Sequence, residues 1–476
     1  MNDHPPPPFD PWLWMQAWSE TWWAGLDPPG MGRRLREQRL ARLIDATLSD
    51  SPFYRQRQPH ARCLGDFQPV TKAELMQHFD DWATDRRITQ AAAHAFVDDP
   101  HRIADAWLGD YLVWTSSGTT GEPGLFVQDA GSLAAYDAID GLRLRGAAPT
   151  QPAFGSWDGA QRFAFVGATG GHFAGHVSVE RLRRLVPAAI APTIRVFSVL
   201  EPLRRVAVDL QAMQPTILIT YPSCAAALAQ MQLDGALTLG LDEVWVGGEH
   251  LSAPQRELVR SAFGCTLRNN YGASEFYSIA CECAHGRLHL NDDWVILEPV
   301  DDRLQPVPAG TTSHSVLLTN LANRSQPLLR YQLADRVLFA TDACACGSAF
   351  PVIDVEGRAD DTLQLRDTRR RRVTILPLAL ETAIEEGAQV TQFQVLCGAG
   401  NSLELRFEAA VTDAPSAFER SRRALTDFLA HQGIAGAPIS FSRAEPLRQP
   451  ASGKLRRVVC MPEPGRPARP RRRDGG

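Results

Sequence analysis

Three times between residues 217 and 275, a short apolar run gives way to a cluster of small and polar residues. Ile217-Leu218-Ile219 precedes Tyr221-Pro222-Ser223 and an Ala/Leu-rich helical pattern. Val244-Trp245-Val246 precedes Gly247-Gly248-Glu249-His250 and a second helix, and Thr266 to Asn269 precedes Tyr271-Gly272-Ala273-Ser274-Glu275. Short apolar strands alternating with helices predict an α/β fold, a parallel sheet covered by helices. In such sheets ligands gather beyond the carboxyl ends of the strands. All three clusters are predicted to lie there, and their convergence is the sequence-level case for a catalytic site.

A fourth run, Tyr111-Leu112-Val113, leads into Trp114-Thr115-Ser116-Ser117-Gly118-Thr119-Thr120-Gly121-Glu122-Pro123. Its glycines let the backbone turn tightly with N–H groups outward, and its hydroxyls add donors that can wrap an anion. No Gly-Lys-Ser/Thr closes it, so it is not a Walker loop. The plain alternative is a Ser/Gly-rich surface turn. A balance of 49 basic against 54 acidic residues gives −5, which offers no global charge for nucleic acid. Nine cysteines in 476 residues, an odd number with two C-x-C pairs, fit a reducing compartment and a metal better than a disulfide framework. No apolar run is long enough to span a membrane, and the start lacks a secretory signal. A cytoplasmic protein is expected.

Along the chain, residues 1–33 form a Pro/Trp-rich segment. Met1 to Pro11 are expected to be disordered. Trp14, Trp18 and Trp22 then fall at helical spacing beside Trp12 and Trp23, as an aromatic stripe docked on the protein itself or offered to a partner. Leu35, Leu40, Leu43, Ile44 and Leu48 mark an amphipathic helix ending before Ser51. Residues 34–357 are read as a large ATP- and substrate-binding domain and 358–460 as a small α+β domain. Residues 461–476 are read as a basic disordered tail.

Five segments in order resemble the core motifs of the adenylate-forming superfamily: Thr115 to Pro123, Tyr271 to Glu275, Arg330 to Asp335, Gly357-Arg358-Ala359-Asp360-Asp361 and Pro450-Ala451-Ser452-Gly453-Lys454. The nearest branch is the phenylacetate–CoA ligase-like proteins. Gly124 to Val127, Cys283 to Asp292 and Gln326 to Tyr331 look most like its subgroup that adenylylates a deazaflavin coenzyme. The resemblance implies that ATP and a carboxylate form an acyl-adenylate, a reaction of positioning and electrostatics. Ser116, Ser117, Gly118, Thr119, Thr120 and Gly121 would hold phosphates. Tyr271, Gly272, Ala273 and Ser274 would flank the nucleotide, Asp335 the ribose, and Arg358 the ribose or phosphate. Glu275 would hold Mg²⁺. Lys454 would reach the α-phosphate, Thr120 would assist, and Asp360 would be the hinge of a mobile C-terminal domain.

Tyr221, Trp245, Gly247, Gly248, Glu249 and Phe276 flank the predicted strand ends. Aromatic walls over small floors suit a flat or apolar acyl group; ordinary core aromatics are the rival reading. Cys283 and His289 with Cys344 and Cys346 supply a tetrahedral Zn²⁺ set, for which Cys281 and His285 compete. Two departures from the resemblance stand out. Glu122 replaces a loop lysine found in many relatives. Arg366-Asp367-Thr368-Arg369-Arg370-Arg371-Arg372 replaces a glycine-containing turn of CoA-forming relatives, either to grip an anionic acceptor or as a solvated hairpin. The expected partners are a small carboxylate and a thiol or amine acceptor (CoA, a carrier protein or an amino compound). The rivals are an adenylyltransferase acting on a hydroxyl and a catalytically silent binding protein.

Overall fold

The computed structural model describes residues 5–26, 30–116, 124–145, 161–356, 363–390, 393–407, 411, 413–447 and 457–460. The chain forms two compact units, Met1–Ser198 with Arg205–Arg358, and Val199–Arg204 with Ala359–Gly476.

In the first unit the strands are, in chain order, β1 (Tyr111–Thr115), β2 (Leu125–Asp129), β3 (Phe163–Gly167), β4 (Ile194–Ser198), β5 (Ile217–Thr220), β6 (Glu243–Gly247) and β7 (Thr266–Ala273). They continue as β8 (Phe276–Glu282), β9 (Leu288–Leu290), β10 (Val295–Val300), β11 (Ser315–Asn320), β12 (Tyr331–Leu333), β13 (Arg336–Phe339) and β14 (Val352–Glu356). Nine of them make one sheet in the order β13-β14-β9-β8-β7-β6-β5-β3-β4.

From β4 to β7 every pair is parallel, as the alternating pattern predicts. The helices Pro222–Leu233 and Ala253–Phe263 follow β5 and β6. The second helix opens with a capping box between Ser252 and Gln255 and stops at Gly264, whose φ is 61°.

Beyond β7 the expectation of a parallel sheet fails. β7 runs on through Tyr271 and Gly272 to Ala273, and only the turn Ser274-Glu275 separates it from antiparallel β8. Two residues cannot hold the crossover that a parallel partner needs. Gly272 permits the fold-back, because a Cβ there would sit 1.9 Å from the Tyr277 carbonyl oxygen. β9, β14 and β13 extend the antiparallel half.

The helix Pro11–Leu26 docks on the protein's own core. Trp14 and Trp18 turn inward with ring centroids 5.0 Å apart, while Trp12 and Trp23 face out at 77% and 50% exposure. The Trp294 indole N–H donates to Thr21 Oγ1 at 2.8 Å, and the Arg39 guanidinium lies 3.2 Å from the Trp294 ring centroid while bonding Glu20 at 2.6 Å. The disorder expected for residues 1–11 does not extend to 5–10. Pro7 and Pro8 are buried there, and the Asp10 carboxylate caps the helix through the Trp12 amide at 2.8 Å.

The second unit is α+β. Its four-stranded sheet runs Ile439–Phe441, Leu403–Phe407, Phe393–Cys397, Val458–Cys460, with helices Pro377–Ala388 and Ala414–His431. Leu363–Arg366 and Arg372–Ile375 form a separate hairpin. Among the described residues no helix is long and apolar enough to cross a membrane.

Candidate functional site

β1 and β2 pair antiparallel and hold the two ends of the hydroxyl-rich loop together. The Ser116 amide donates to Gly124 O and the Gly124 amide to Ser116 Oγ, both at 2.9 Å. The Trp114 indole N–H donates to Ser274 O at 2.8 Å, which ties the loop's root to the β7–β8 turn. Ser117, Gly118, Thr119, Thr120 and Gly121 lie outside the described residues, as do Arg358, Asp360 and Lys454.

Glu275 sits in that turn with 7% exposure. The Tyr331 hydroxyl donates to its Oε1 at 2.6 Å, and Asn320 Nδ2 donates to its backbone oxygen at 2.9 Å. Burial pushes the Glu275 carboxyl above its ordinary range, against the opposing pull of the Tyr331 hydroxyl and the Lys72 charge. Arg330, next to Tyr331, holds a left-handed φ of 51° for a non-glycine residue. Its ion pair to Glu298 at 3.1 Å and its bond to Phe67 O at 2.9 Å fix it there. Asp335 accepts from the Tyr271 hydroxyl at 2.9 Å, and a carboxylate so engaged keeps lone pairs for further donors.

Lys72 is a site neighbour that the sequence reading missed. It opens the helix Lys72–Gln77, and its Cδ would lie 3.1 Å from a Cβ built on Gly124, at the closing end of the hydroxyl-rich loop. No motif marks it; only the fold brings residue 72 to residues 124 and 275.

Among the residues expected to flank the strand ends, the Tyr221 hydroxyl accepts from the Ala168 amide at 3.1 Å. Gly248, at φ +78°, presses against the Tyr221 ring, where a Cβ would be 3.2 Å away. Glu249 accepts from the Ser223 amide and hydroxyl, both at 2.9 Å, and so anchors the start of the helix that carries them. The Trp245 ring meets Phe163 edge-on at 6.3 Å, and a Cβ on Gly247 would lie 3.0 Å from Asn270 O. Phe276 is fully buried against Tyr136, T-shaped at 5.1 Å. The adjacent Tyr277 keeps accessible surface, and its ring lies 6.0 Å from Trp114 and 6.2 Å from Tyr136.

Past the other end of β8, Cys283, His289, Cys344 and Cys346 bring their ligand atoms within 4.8 Å of one another. Cys283 Sγ and Cys344 Sγ are 3.7 Å apart, and Cys346 Sγ is 3.3 Å from His289 Nε2. His289 Nδ1 meets Phe350 O at 2.9 Å, which leaves Nε2 as the ligand atom. A tetrahedral ion with ~2.3 Å sulfur bonds has sulfur–sulfur edges of about 3.8 Å, so the four residues could hold one. Cys281 instead points into a buried polar network, 3.7 Å from Asn291 Nδ2. His285 is outside the group.

No family model matches the chain. It is 27% identical to the phenylacetate-coenzyme A ligase of Thermus thermophilus, over 90% of this chain and 96% of that one. Among solved structures it is similar to 2-hydroxyisobutyryl-CoA ligase in complex with 2-HIB-AMP and CoA in the thioesterification state. The TM-score is 0.56 at 19% identity, covering 92% of this chain and 91% of that one. The same ligase in its postadenylation state gives a TM-score of 0.51 at 18% identity, with the same coverage. The fold is that of the adenylate-forming ligases, as the resemblance implies.

Proposed function

For a chain with the fold of the AMP-forming ligases, we propose ATP-dependent activation of a carboxylate to an acyl-adenylate, followed by transfer of the acyl group to a thiol or amine. The observation that carries this is Glu275: a buried carboxylate, its pKa raised by burial, in a turn tied by Trp114 to the root of the hydroxyl-rich loop. Such a group gains from an external cation, and Mg²⁺ takes a carboxylate together with phosphate oxygens. When bound, Mg²⁺ would neutralise phosphate charge. Lys72, beside the loop, supplies a second positive charge where Glu122 offers none.

In the reaction a substrate carboxylate oxygen bonds to the α-phosphorus while the bond to the bridging oxygen breaks, and pyrophosphate leaves. Ser116 and the loop it closes grip the departing phosphates, and Asp335, steadied by Tyr271, accepts from ribose hydroxyls. Lys454 meets charge on the α-phosphate, and the domain carrying it turns about Asp360 between half-reactions. The exposed arginines of the 366–372 hairpin favour an anionic acceptor, while their replacement of the glycine-containing turn of CoA-forming relatives counts against CoA itself. Cys283, His289, Cys344 and Cys346 would hold Zn²⁺ as a structural clip, since four protein ligands would leave no open position for water.

The test is to identify the AMP-bearing product with and without acceptor. Acyl-AMP that is consumed when a thiol or amine is added supports the reading, and AMP found on a hydroxyl of a cofactor rejects it. Lys454→Ala should slow adenylation by ~10²-fold or more, since a contact to the reacting phosphate is lost.

A further inference from the structure

Asp140 does not belong in a pocket built only for flat, apolar acids. The helix Ala130–Ile139 continues into a π-turn, Asp140–Leu144, and such widened turns gather at functional sites. Asp140 lies one helical turn beyond Tyr136, on the same face. Its carboxylate accepts from Ser278 Oγ at 2.6 Å, and Asn270 Nδ2 donates to that same hydroxyl at 3.1 Å. Nearby guanidinium groups are committed to other acids, Arg143 to Asp293 at 2.7 Å and Arg181 to Asp137 at 2.8 Å. Tyr277 lies close enough for Asp140 to bear on its hydroxyl, as does Tyr221. Trp114, Tyr136 and Tyr277 form an aromatic wall beside the acid. Asp140, Tyr221 and Tyr277 each retain accessible surface, although burial dominates their protonation.

We propose that Asp140 and the rings around it seat a protonated amino group of the acyl substrate, so that the acid activated here is an amino-bearing one. This rests on the acyl-adenylate reading and narrows it. Burial first, and then the charge of Asp137, push the Asp140 carboxyl up to about 7 against the opposing pull of the Ser278 hydroxyl. An ammonium ion would restore the charge balance that the chain omits, and aromatic faces attract such a cation. Ser278 and Asn270 hold the acceptor in place while it waits. The bland alternative is a core link between the π-turn and β8, which would favour no substrate charge.

ATP–pyrophosphate exchange with matched acids separates the two. Pairs such as 3-(aminomethyl)benzoate against 3-ethylbenzoate, and 3-amino-3-phenylpropionate against 3-phenylbutyrate, differ only at the amine. We expect the amino member to have at least tenfold higher kcat/KM with the wild type, and Asp140→Asn to erase or reverse that ratio. The wild-type ratio should also fall as pH drops from 8 to 6 and the carboxylate takes up its proton. The titratable and charged groups around it are Asp137 on its own helix, Tyr277 and Cys281 on β8, and Arg143 on the π-turn. The wild-type ratios and their pH dependence decide the matter even if the Asn variant misfolds. Equal or better exchange with the methyl members would overturn the proposal and leave adenylation standing. Exchange with no acid at all would defeat the adenylation reading, and this one with it.

Discussion

Glu275 and Glu282 bracket the same strand, β8, with nearly equal exposure, 7% and 6%, yet they are housed in opposite ways. Glu282 is gripped by both arms of Arg256, at 2.6 and 2.5 Å, as a buried carboxylate ordinarily is. Glu275 has a neutral phenol at 2.6 Å and feels Lys72 only as a nearby charge, so burial wins and its carboxyl is pushed up. On the reading proposed above, a cation from outside would complete the second acid. Directly after Glu282 comes Cys283, the first member of the thiol–imidazole group. One end of β8 is thus built for stability. The other holds a buried acid against a neutral phenol, at a cost in stability.

Four substitutions would break or sharpen that contrast. Cys344→Ser should cost the most stability, on the order of 4 kcal/mol or more if the clip holds metal. Metal content and melting temperature should fall together, with exchange retained in the folded fraction. A variant with unchanged metal and melting would remove Cys344 from the ligand set. Glu282→Gln should cost ~3 kcal/mol by stranding Arg256, again without loss of exchange per folded molecule; chemical denaturation measures it. Glu275→Gln should do the reverse, lowering Mg²⁺-dependent exchange by ~10²-fold, about 2.7 kcal/mol of barrier, while the protein melts no lower than wild type. Tyr331→Phe should be mildest, ~1 kcal/mol of stability for one lost hydrogen bond, and should move the acid limb of the exchange profile upward because Glu275 loses a donor to its charged form.

The pH dependence of melting carries a definite sign. Glu275 has a folded pKa above the ordinary 4.5, so the folded state binds the proton more tightly than the unfolded chain. Wild type and Glu275→Gln should therefore melt alike below about pH 4.5, with the wild type falling progressively behind as pH rises through the folded pKa. Asp140 adds a similar deficit between the ordinary 3.8 and about 7, which an Asp140→Asn background would remove. Parallel melting curves across that range would show that neither carboxyl is held as described.

How much could be read in advance differs between the two halves of the large sheet. β5 and β6 were legible because each apolar run is short, ends in small polar residues and leads into a helix with its own start signals. The antiparallel half was not. Its register depends on Gly272 passing under Tyr277 O and on β14 pairing with β9 across more than 50 residues, neither of which has a local signature. The inward stripe of Trp14 and Trp18 followed from helical spacing, whereas burial of Pro7 and Pro8 depends on tertiary contact that no local pattern marks. At the site, Glu275, Tyr271 and Asp335 stood out by motif and are brought together. Tyr277 was masked by its more conspicuous neighbour Phe276. Lys72 and Asp140 carry no motif and become visible only once the chain is folded around them.

The most direct test of the central claim is carboxylate-dependent ATP–pyrophosphate exchange by the purified protein, with a panel of amino-bearing and apolar acids in the presence of Mg²⁺. The expected result is label entering ATP only when a suitable acid and Mg²⁺ are both present. Exchange that needs no acid, or none across the panel in folded protein, would contradict acyl-adenylate formation.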